Sequence, residues 1–362
     1  MNRLTLRLLG SFVVGATALL TGCERPPVKT DQLGYRGTAM QQTHNPRTLA
    51  ALEQARPAPP ADVPATPDDG GPRAGKVYQN VKVLGDLSVA DFARHMNALT
   101  QWVSPAEGCG YCHNLANLAD DSKYTKVVAR RMIEMTRQVN AQWKPHVAET
   151  GVTCYTCHRG KPVPEAIWFT AATPKANTQP MLGNDFGQNK AIGAVGLTSL
   201  PYDPYTPYFL GKDKIRVYGT EALPQGRGTG ASLQATEQSY ALMVHMSQSL
   251  GVNCTFCHNS QAFSHWQPTR VKAWHGIQMV RELNNDYVVP LTPAFPANRL
   301  GPTQDVAKVY CATCHQGQNK PLGGKQMAGL YSGLQPAAAV QMADAKGAAA
   351  GGAKSSAAAP GK

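Results

Sequence analysis

Four short stretches decide how this sequence folds: Cys109-Gly-Tyr-Cys112-His113, Cys154-Tyr-Thr-Cys157-His158, Cys254-Thr-Phe-Cys257-His258 and Cys311-Ala-Thr-Cys314-His315. Each is Cys-x-x-Cys followed directly by His, the attachment signature of c-type haem. Two intervening residues set the sulfurs at the separation of the two vinyl groups, and the adjacent His lies beneath the iron. A single such stretch also fits a zinc site or a redox dithiol. Four of them, each with its His, do not: of nine cysteines eight lie in the motifs and the ninth is Cys23, so none remains for a disulfide. The expected cofactors are four covalently bound c-type haems. Cys109, Cys112, Cys154, Cys157, Cys254, Cys257, Cys311 and Cys314 provide the thioethers, and His113, His158, His258 and His315 the proximal nitrogens.

The rest of the composition suits a chain that borrows core volume from cofactors. Of 362 residues only 7% are aromatic and 16% charged, while 34 Gly and 27 Pro interrupt regular structure. The expected fold is mainly α with much irregular loop.

The sixth iron ligand decides the chemistry, because an open iron binds small molecules and a filled one passes electrons; Met raises the reduction potential relative to His. Before the first motif, Asp91-Phe-Ala-Arg-His95-Met96-Asn-Ala-Leu99 has helical spacing, as has Glu237-Gln-Ser-Tyr-Ala-Leu-Met243-Val-His245-Met246 before the third. Between the first and second motifs, Tyr124 to Trp143 has no Gly or Pro and carries Met132 and Met135. His95 and His245 sit beside candidate methionines and read as core residues, while Met243 and Met246 lie one turn apart on one face and both stay open.

An internal repeat narrows the choice. Ala129-Arg-Arg-Met132-Ile-Glu-Met135-Thr-Arg137-Gln-Val-Asn140 aligns with Ala273-Trp-His-Gly276-Ile-Gln-Met279-Val-Arg281-Glu-Leu-Asn284. Downstream, Cys154-Tyr-Thr-Cys-His-Arg-Gly-Lys-Pro162 matches Cys311-Ala-Thr-Cys-His-Gln-Gly-Gln-Asn-Lys-Pro321. The architecture expected is two pseudo-symmetric halves, each with two helix–turn–CxxCH units. Gly276 stands where Met132 stands in the first half, so the fourth haem needs a ligand from elsewhere. His146, in the connector Lys144-Pro145-His146, is the best candidate.

This pattern resembles the tetrahaem cytochrome c subunit of purple-bacterial photosynthetic reaction centres, over roughly residues 20–330. The likeness is carried by Leu-Gly-Val-Asn-Cys254-Thr-Phe-Cys-His-Asn, by Ala-Trp274-x-Gly-Ile-x-Met-Val-Arg281 and by Cys-x-Thr-Cys-His-Gln-Gly-x-x-Lys-Pro321. It implies axial pairs His113/Met96, His158/Met132, His258/Met243 and His315/His146, and so favours Met243 over Met246. It also implies an electron-transfer subunit rather than an enzyme. Such a subunit takes electrons from a soluble cytochrome c or a high-potential iron–sulfur protein and re-reduces the photo-oxidised bacteriochlorophyll pair held by the L and M core subunits, with the H subunit in the complex. In the row of haems the first is outermost and the fourth lies between the second and third. Arg270 matches a family arginine near the third haem. The alternative is a membrane-tethered periplasmic multihaem carrier serving a reductase or a quinol-oxidising complex.

The remaining regions set location and partners. Residues 1–22 read as a lipoprotein signal peptide: Arg3 and Arg7 precede an apolar run from Leu8 to Leu20, which ends in Leu20-Thr21-Gly22-Cys23 with Cys23 as the lipidation site. The expected location is the periplasmic face of the bacterial inner photosynthetic membrane, held by a lipid anchor. Residues 23–75 form a Pro-rich N-terminal segment expected to wrap a partner or tether the domain; 76–173 are the first dihaem half and 174–231 a connecting segment ordered by partners or haem edges. Residues 232–326 are the second half and 327–362 a disordered C-terminal tail. The net charge of +12 suggests nucleic acid at first sight. Loss of Arg3 and Arg7 and about eight haem propionates remove most of it, and no nucleic acid is expected. Residues 86–125 hold Asp86, Asp91, Glu107, Asp120 and Asp121 against Arg94 and Lys123, a net −3 expected to attract a basic donor.

Overall fold

The computed structural model describes residues 28–61, 63–64, 70–171, 200–201, 203–217, 232–263 and 265–336. Residues 1–27, which include the expected signal peptide and Cys23, most of the connecting segment and the tail beyond 336 lie outside the described residues. Among those described, the fold is mainly helical, and no helix is long and apolar enough to cross a membrane.

Five longer helices frame the motifs. After a hairpin of β1 (Lys29–Gln32) and β2 (Gln41–His44), helix α1 spans Pro46–Ala55, with the Asn45 side chain capping its first turn. Helix α2 (Val89–Val103) starts where Ser88 accepts the Asp91 amide, which satisfies an otherwise orphaned N–H. Helix α3 covers Tyr124–Gln142, nearly the span predicted from the absence of breakers. Helix α4 (Leu233–Leu250) is capped by Ser232 and stopped by Gly251 in a left-handed conformation. A Cβ at Gly251 would run into the Gly317 carbonyl, so only glycine allows the approach of helix α4 to the fourth motif. Helix α5 (Pro268–Glu282) begins with proline and runs into a π-turn, Leu283–Val288.

The motifs come in two kinds. The first and third form 3₁₀ turns, Gly108–Tyr111 and Cys254–Phe256, while the second and fourth form single α turns, Cys154–His158 and Cys311–His315. Each α turn ends on a non-glycine residue in the left-handed region, Arg159 and Gln316, followed by a positive-φ glycine.

Matching hydrogen bonds fix the register of the helices. Arg137 on helix α3 donates to the Gly333 carbonyl at 2.7 Å, and Arg281 on helix α5 to that of Tyr208 at 3.0 Å. Asn140 clamps the backbone of Val152 through both ends of its amide, and Asn284 does the same to Val309. Counting back five residues from each arginine gives Met132 and Gly276. The Gly160 amide reaches Trp102 at the end of helix α2, and the Gly317 amide reaches Ser249 at the end of helix α4. Counting back six residues gives Met96 and Met243.

Two regions differ from expectation. Residues 327–336, placed in a disordered tail, are packed: Met327, Tyr331 and Leu334 are buried against helix α2 and the second motif. Their apolar spacing hides among glycines, and their hydrogen-bond partners stand on helices α2 and α3, far away in sequence. In the segment expected to lean on partners or haem edges, Tyr205, Tyr208 and Phe209 instead fill the core beneath helices α4 and α5. Burying each of these rings contributes about 2–3 kcal/mol.

The described part of the N-terminal segment lies on its own chain. Asn253 is locked between Gln41, Gln42 and Thr43 of strand β2, at the entry to the third motif. Then Arg56 donates to the Gly317 carbonyl beside the fourth motif at 3.0 Å, and Ala58 accepts from the Tyr155 hydroxyl in the second. Last, the Val63 carbonyl takes Arg94 of helix α2 at 3.3 Å. This strap therefore visits the third, fourth and second motifs in that order and ends at helix α2.

Candidate functional site

Each motif histidine sits where its turn can hold one ring nitrogen. A carbonyl oxygen can only accept, so a ring nitrogen bonded to one carries the proton and leaves the other with a free lone pair. His113 Nδ1 donates to Leu118 at 3.1 Å, His158 Nδ1 to Lys161 at 2.9 Å and His315 Nδ1 to Gln318 at 2.8 Å. His146 Nδ1 does likewise to Lys272 of helix α5, at 2.9 Å. In all four Nε2 is left as the free nitrogen, the arrangement that orients a metal-binding imidazole. His258 is the exception: its Nδ1 makes no hydrogen bond of good geometry, and the ring rests against Phe263. Burial lowers the pKa of His146, His158 and His258 and takes His315 to about 4, which keeps these rings neutral.

Two other histidines, His95 and His245, are engaged in the core. His95 Nδ1 donates to the Asp91 carbonyl at 2.8 Å while its Nε2 accepts the Gly333 amide at 3.0 Å, so neither nitrogen is available. His245 is buried against Tyr205 and Tyr310, with its Nδ1 3.2 Å from the Tyr205 hydroxyl. Both are core histidines, as their neighbouring methionines suggest.

A cavity of about 1210 Å³ joins the first two motifs. Met96, Cys109, Cys112, His113, Met132, Cys154, Cys157 and His158 line it, with Met135 at its wall and Cys314 at its far end. That is more than one small-molecule site of about 300–1,000 Å³ takes. Met96 and Met132 are each followed four residues on by a threonine, Thr100 and Thr136, whose hydroxyl returns to the methionine carbonyl. Such back-bonding bends a helix locally. Met243 and Met246 both pack at the edge of the core beneath helix α4.

Around the fourth motif the decisive contact is at Gly276. A Cβ there would stand 2.6 Å from His146 Cε1, so the ring occupies the space of the missing side chain. The rings of His146 and His315 meet edge-on, with centroids 5.9 Å apart. Among the described residues no three His, Cys, Asp or Glu converge as an ordinary metal cluster would. The donor sets therefore fit c-type haem: paired thiols, a proximal His with a free Nε2, and an opposing Met or His.

Residues 24–335 match the family described as the photosynthetic reaction centre cytochrome C subunit. The chain belongs to this family. It is 58% identical over 338 residues to the photosynthetic reaction center cytochrome c subunit of Rubrivivax gelatinosus, covering 92% of this chain and 91% of that one. The subunit of the same name from Thermochromatium tepidum is 49% identical over 338 residues, 92% and 82% of the two chains. Cytochrome c-554 of Chloroflexus aurantiacus is 28% identical over 347 residues, 75% and 80% of the two. As a cytochrome c subunit of the reaction centre, the chain carries covalently bound haem.

The acidic patch expected beside the first motif is dissolved by the fold. Asp121 is ringed by Lys82, Lys126 and Arg130 within 3.1 Å, and Arg130 foremost holds its carboxyl far below the usual range. Asp91 is buried against Arg94 at 2.7 Å, and Asp86 faces Arg137 at 3.7 Å. A window of residues 86–125 misses Lys82 on one side and Lys126 and Arg130 on the other, which the fold brings in.

Proposed function

We propose that the chain is a tetrahaem electron-transfer subunit that feeds electrons, one at a time, to the photo-oxidised bacteriochlorophyll pair of a reaction centre. The observation that carries this reading is the family match over residues 24–335, joined to the four intact motifs. Bound haem iron supplies the one-electron couple. The chain's residues hold it: His113/Met96, His158/Met132, His258/Met243 and His315/His146 as axial pairs, with the eight motif cysteines as anchors. The collision that a Cβ at Gly276 would make with His146 supports the last pair. The register set by Gly160 and Gly317 supports Met243 as the counterpart of Met96.

The two-half architecture has support in reciprocal contacts. Arg159 donates to the Cys314 carbonyl and Gln316 to that of Cys157, both at 3.4 Å, so equivalent residues contact each other's motif as across a two-fold axis. The order in which the strap touches the motifs supports a row of third, fourth, second and first sites, with the pseudo-axis between the fourth and second. Electrons then enter at the Cys109–His113 end from a soluble cytochrome c or high-potential iron–sulfur protein, and leave at the Cys254–His258 end towards the L and M core. There Arg270 stacks on Trp266 and donates to the Phe263 and His265 carbonyls, in the loop against His258. Its charge favours the ferrous form at that site. Cys23, by its lipid, holds the subunit at the periplasmic face.

Flash spectroscopy on native membranes tests the reading. Haem oxidation faster than donor diffusion is expected after one flash. Its absence would rule out the photosynthetic role and leave the multihaem-carrier alternative.

A further inference from the structure

We propose that Arg56 and Arg159, each held on carbonyl oxygens of or beside the Cys311–His315 motif, raise the reduction potential of the haem attached there. The inference rests on the bis-histidine reading of that site.

The two guanidinium groups come from different parts of the chain. Arg159, just past the second motif, donates through Nη2 to the Cys314 carbonyl at 3.4 Å and through Nε to Thr156 at 3.2 Å. Arg56 arrives on the N-terminal strap and donates to the Gly317 carbonyl at 3.0 Å. Both are half-buried, and they lie close enough to repel one another. Among the described residues neither has an acidic partner. Carbonyl oxygens orient the pair without cancelling its charge.

The second motif acts as an internal control. At the position equivalent to Arg159 stands Gln316, whose neutral amide reaches the Cys157 carbonyl at the same 3.4 Å. The strap touches the second motif through the Ala58 carbonyl, which accepts from the Tyr155 hydroxyl, and its one guanidinium contact is with Gly317 of the fourth. Arg159 also bonds Thr156 of the second motif and is shared between the two, so the motifs differ by the one guanidinium of Arg56 and by the amide of Gln316 facing the guanidinium of Arg159. Ferric haem carries one more positive charge than ferrous, so cations held in a half-buried, low-dielectric setting disfavour oxidation. The fourth site, with His in place of Met, starts from the lowest potential of the row. The arginines oppose that drop and make the step between neighbouring sites shallower.

The test is an equilibrium redox titration of the whole complex in membranes, followed in the haem absorption bands. The band displaced in H146M identifies the fourth haem. In R56Q and in R159Q the oxidised-to-reduced ratio of that haem at fixed potential is expected to rise about tenfold, equal to about 59 mV for a one-electron couple. R56K and R159K are expected to restore most of the shift. Q316R is expected to move the second haem the opposite way. An unmoved fourth haem in both Gln variants, a shift that Lys does not restore, an unmoved second haem in Q316R, or four haems moving together each overturns the proposal. A wild-type EPR spectrum without a bis-histidine low-spin signal overturns the ligand reading instead.

Discussion

Helices α3 and α5 are built to one plan and end with different duties. Both carry an arginine that ties down a distant carbonyl, and three residues later an asparagine that clamps a valine backbone. They part at a single position. Met132 lines the cavity of the second motif, whereas Gly276 presents no side chain and the ring of His146 lies in its place. The absence of one side chain on helix α5 thus makes room for a ring from the short turn after helix α3, and brings residues 130 positions apart into contact. Arg159 and Gln316 make the same point on a smaller scale, since equivalent geometry carries a charge on one side only.

The largest effect should come from the borrowed ligand. His146→Ala removes one axial nitrogen and is expected to abolish the bis-histidine EPR signal. It should shift that haem's potential on the order of a tenth of a volt, within the span of about 0.8 V that axial ligands command. If the signal survives, another residue serves the fourth haem and the contrast between the helices collapses. Next is Gly276→Ala. Its Cβ would overlap the His146 ring, so the ring or helix must move at a cost of about 1–3 kcal/mol. Thermal melting should show the loss, and EPR a strained or displaced ligand. A neutral Gly276→Ala would mean the glycine is incidental.

Smaller effects sharpen the likeness. Arg137→Ala and Arg281→Ala each delete a charge-assisted bond to a carbonyl and should cost about 1.5–3 kcal/mol apiece in denaturant titration. Unequal costs would show that the halves share geometry but not energetics. The smallest effect separates the halves by pH. Lys308 pairs with Asp305 in the second half, where Gly151 stands in the first by the Val152–Val309 equivalence. Burial pushes the Asp305 carboxyl up, but Lys308, Thr170 and Thr303 together outweigh it and hold it at about 2. A depressed value means that the stabilisation is present above the unfolded range of about 4, and is lost as pH falls through about 2. Asp305→Asn should therefore cost about 1 kcal/mol or less at pH 7 after solvent screening, and progressively less towards pH 2, as read by melting at each pH.

Much of the candidate site was legible because covalent chemistry and helical period are local. Cys-x-x-Cys-His needs no tertiary context, and the span of helix α3 follows from a run without Gly or Pro. Gly276 was readable because a repeat compares the chain with itself. The core role of Tyr331 and Leu334 was not, since glycines surround them and their partners lie on helices α2 and α3. Nor was the true charge around Asp121, because charges sum in space and Lys82 and Arg130 stand outside the window that was counted.

The sequence by itself determined how many Cys-x-x-Cys-His motifs the chain carries, which histidine follows each cysteine pair, and that glycine stands on one helix where methionine stands on its counterpart. These rest on short-range covalent spacing and on internal repetition. Tertiary structure decided the rest. It brought His146 onto Gly276, consumed both nitrogens of His95, and laid the strap across the motifs in the order third, fourth, second. It also set two arginines on one motif and an amide on its counterpart. The physical reason is common to all of these. Each depends on groups far apart in the chain meeting at hydrogen-bonding or van der Waals distance, and only packing brings them there.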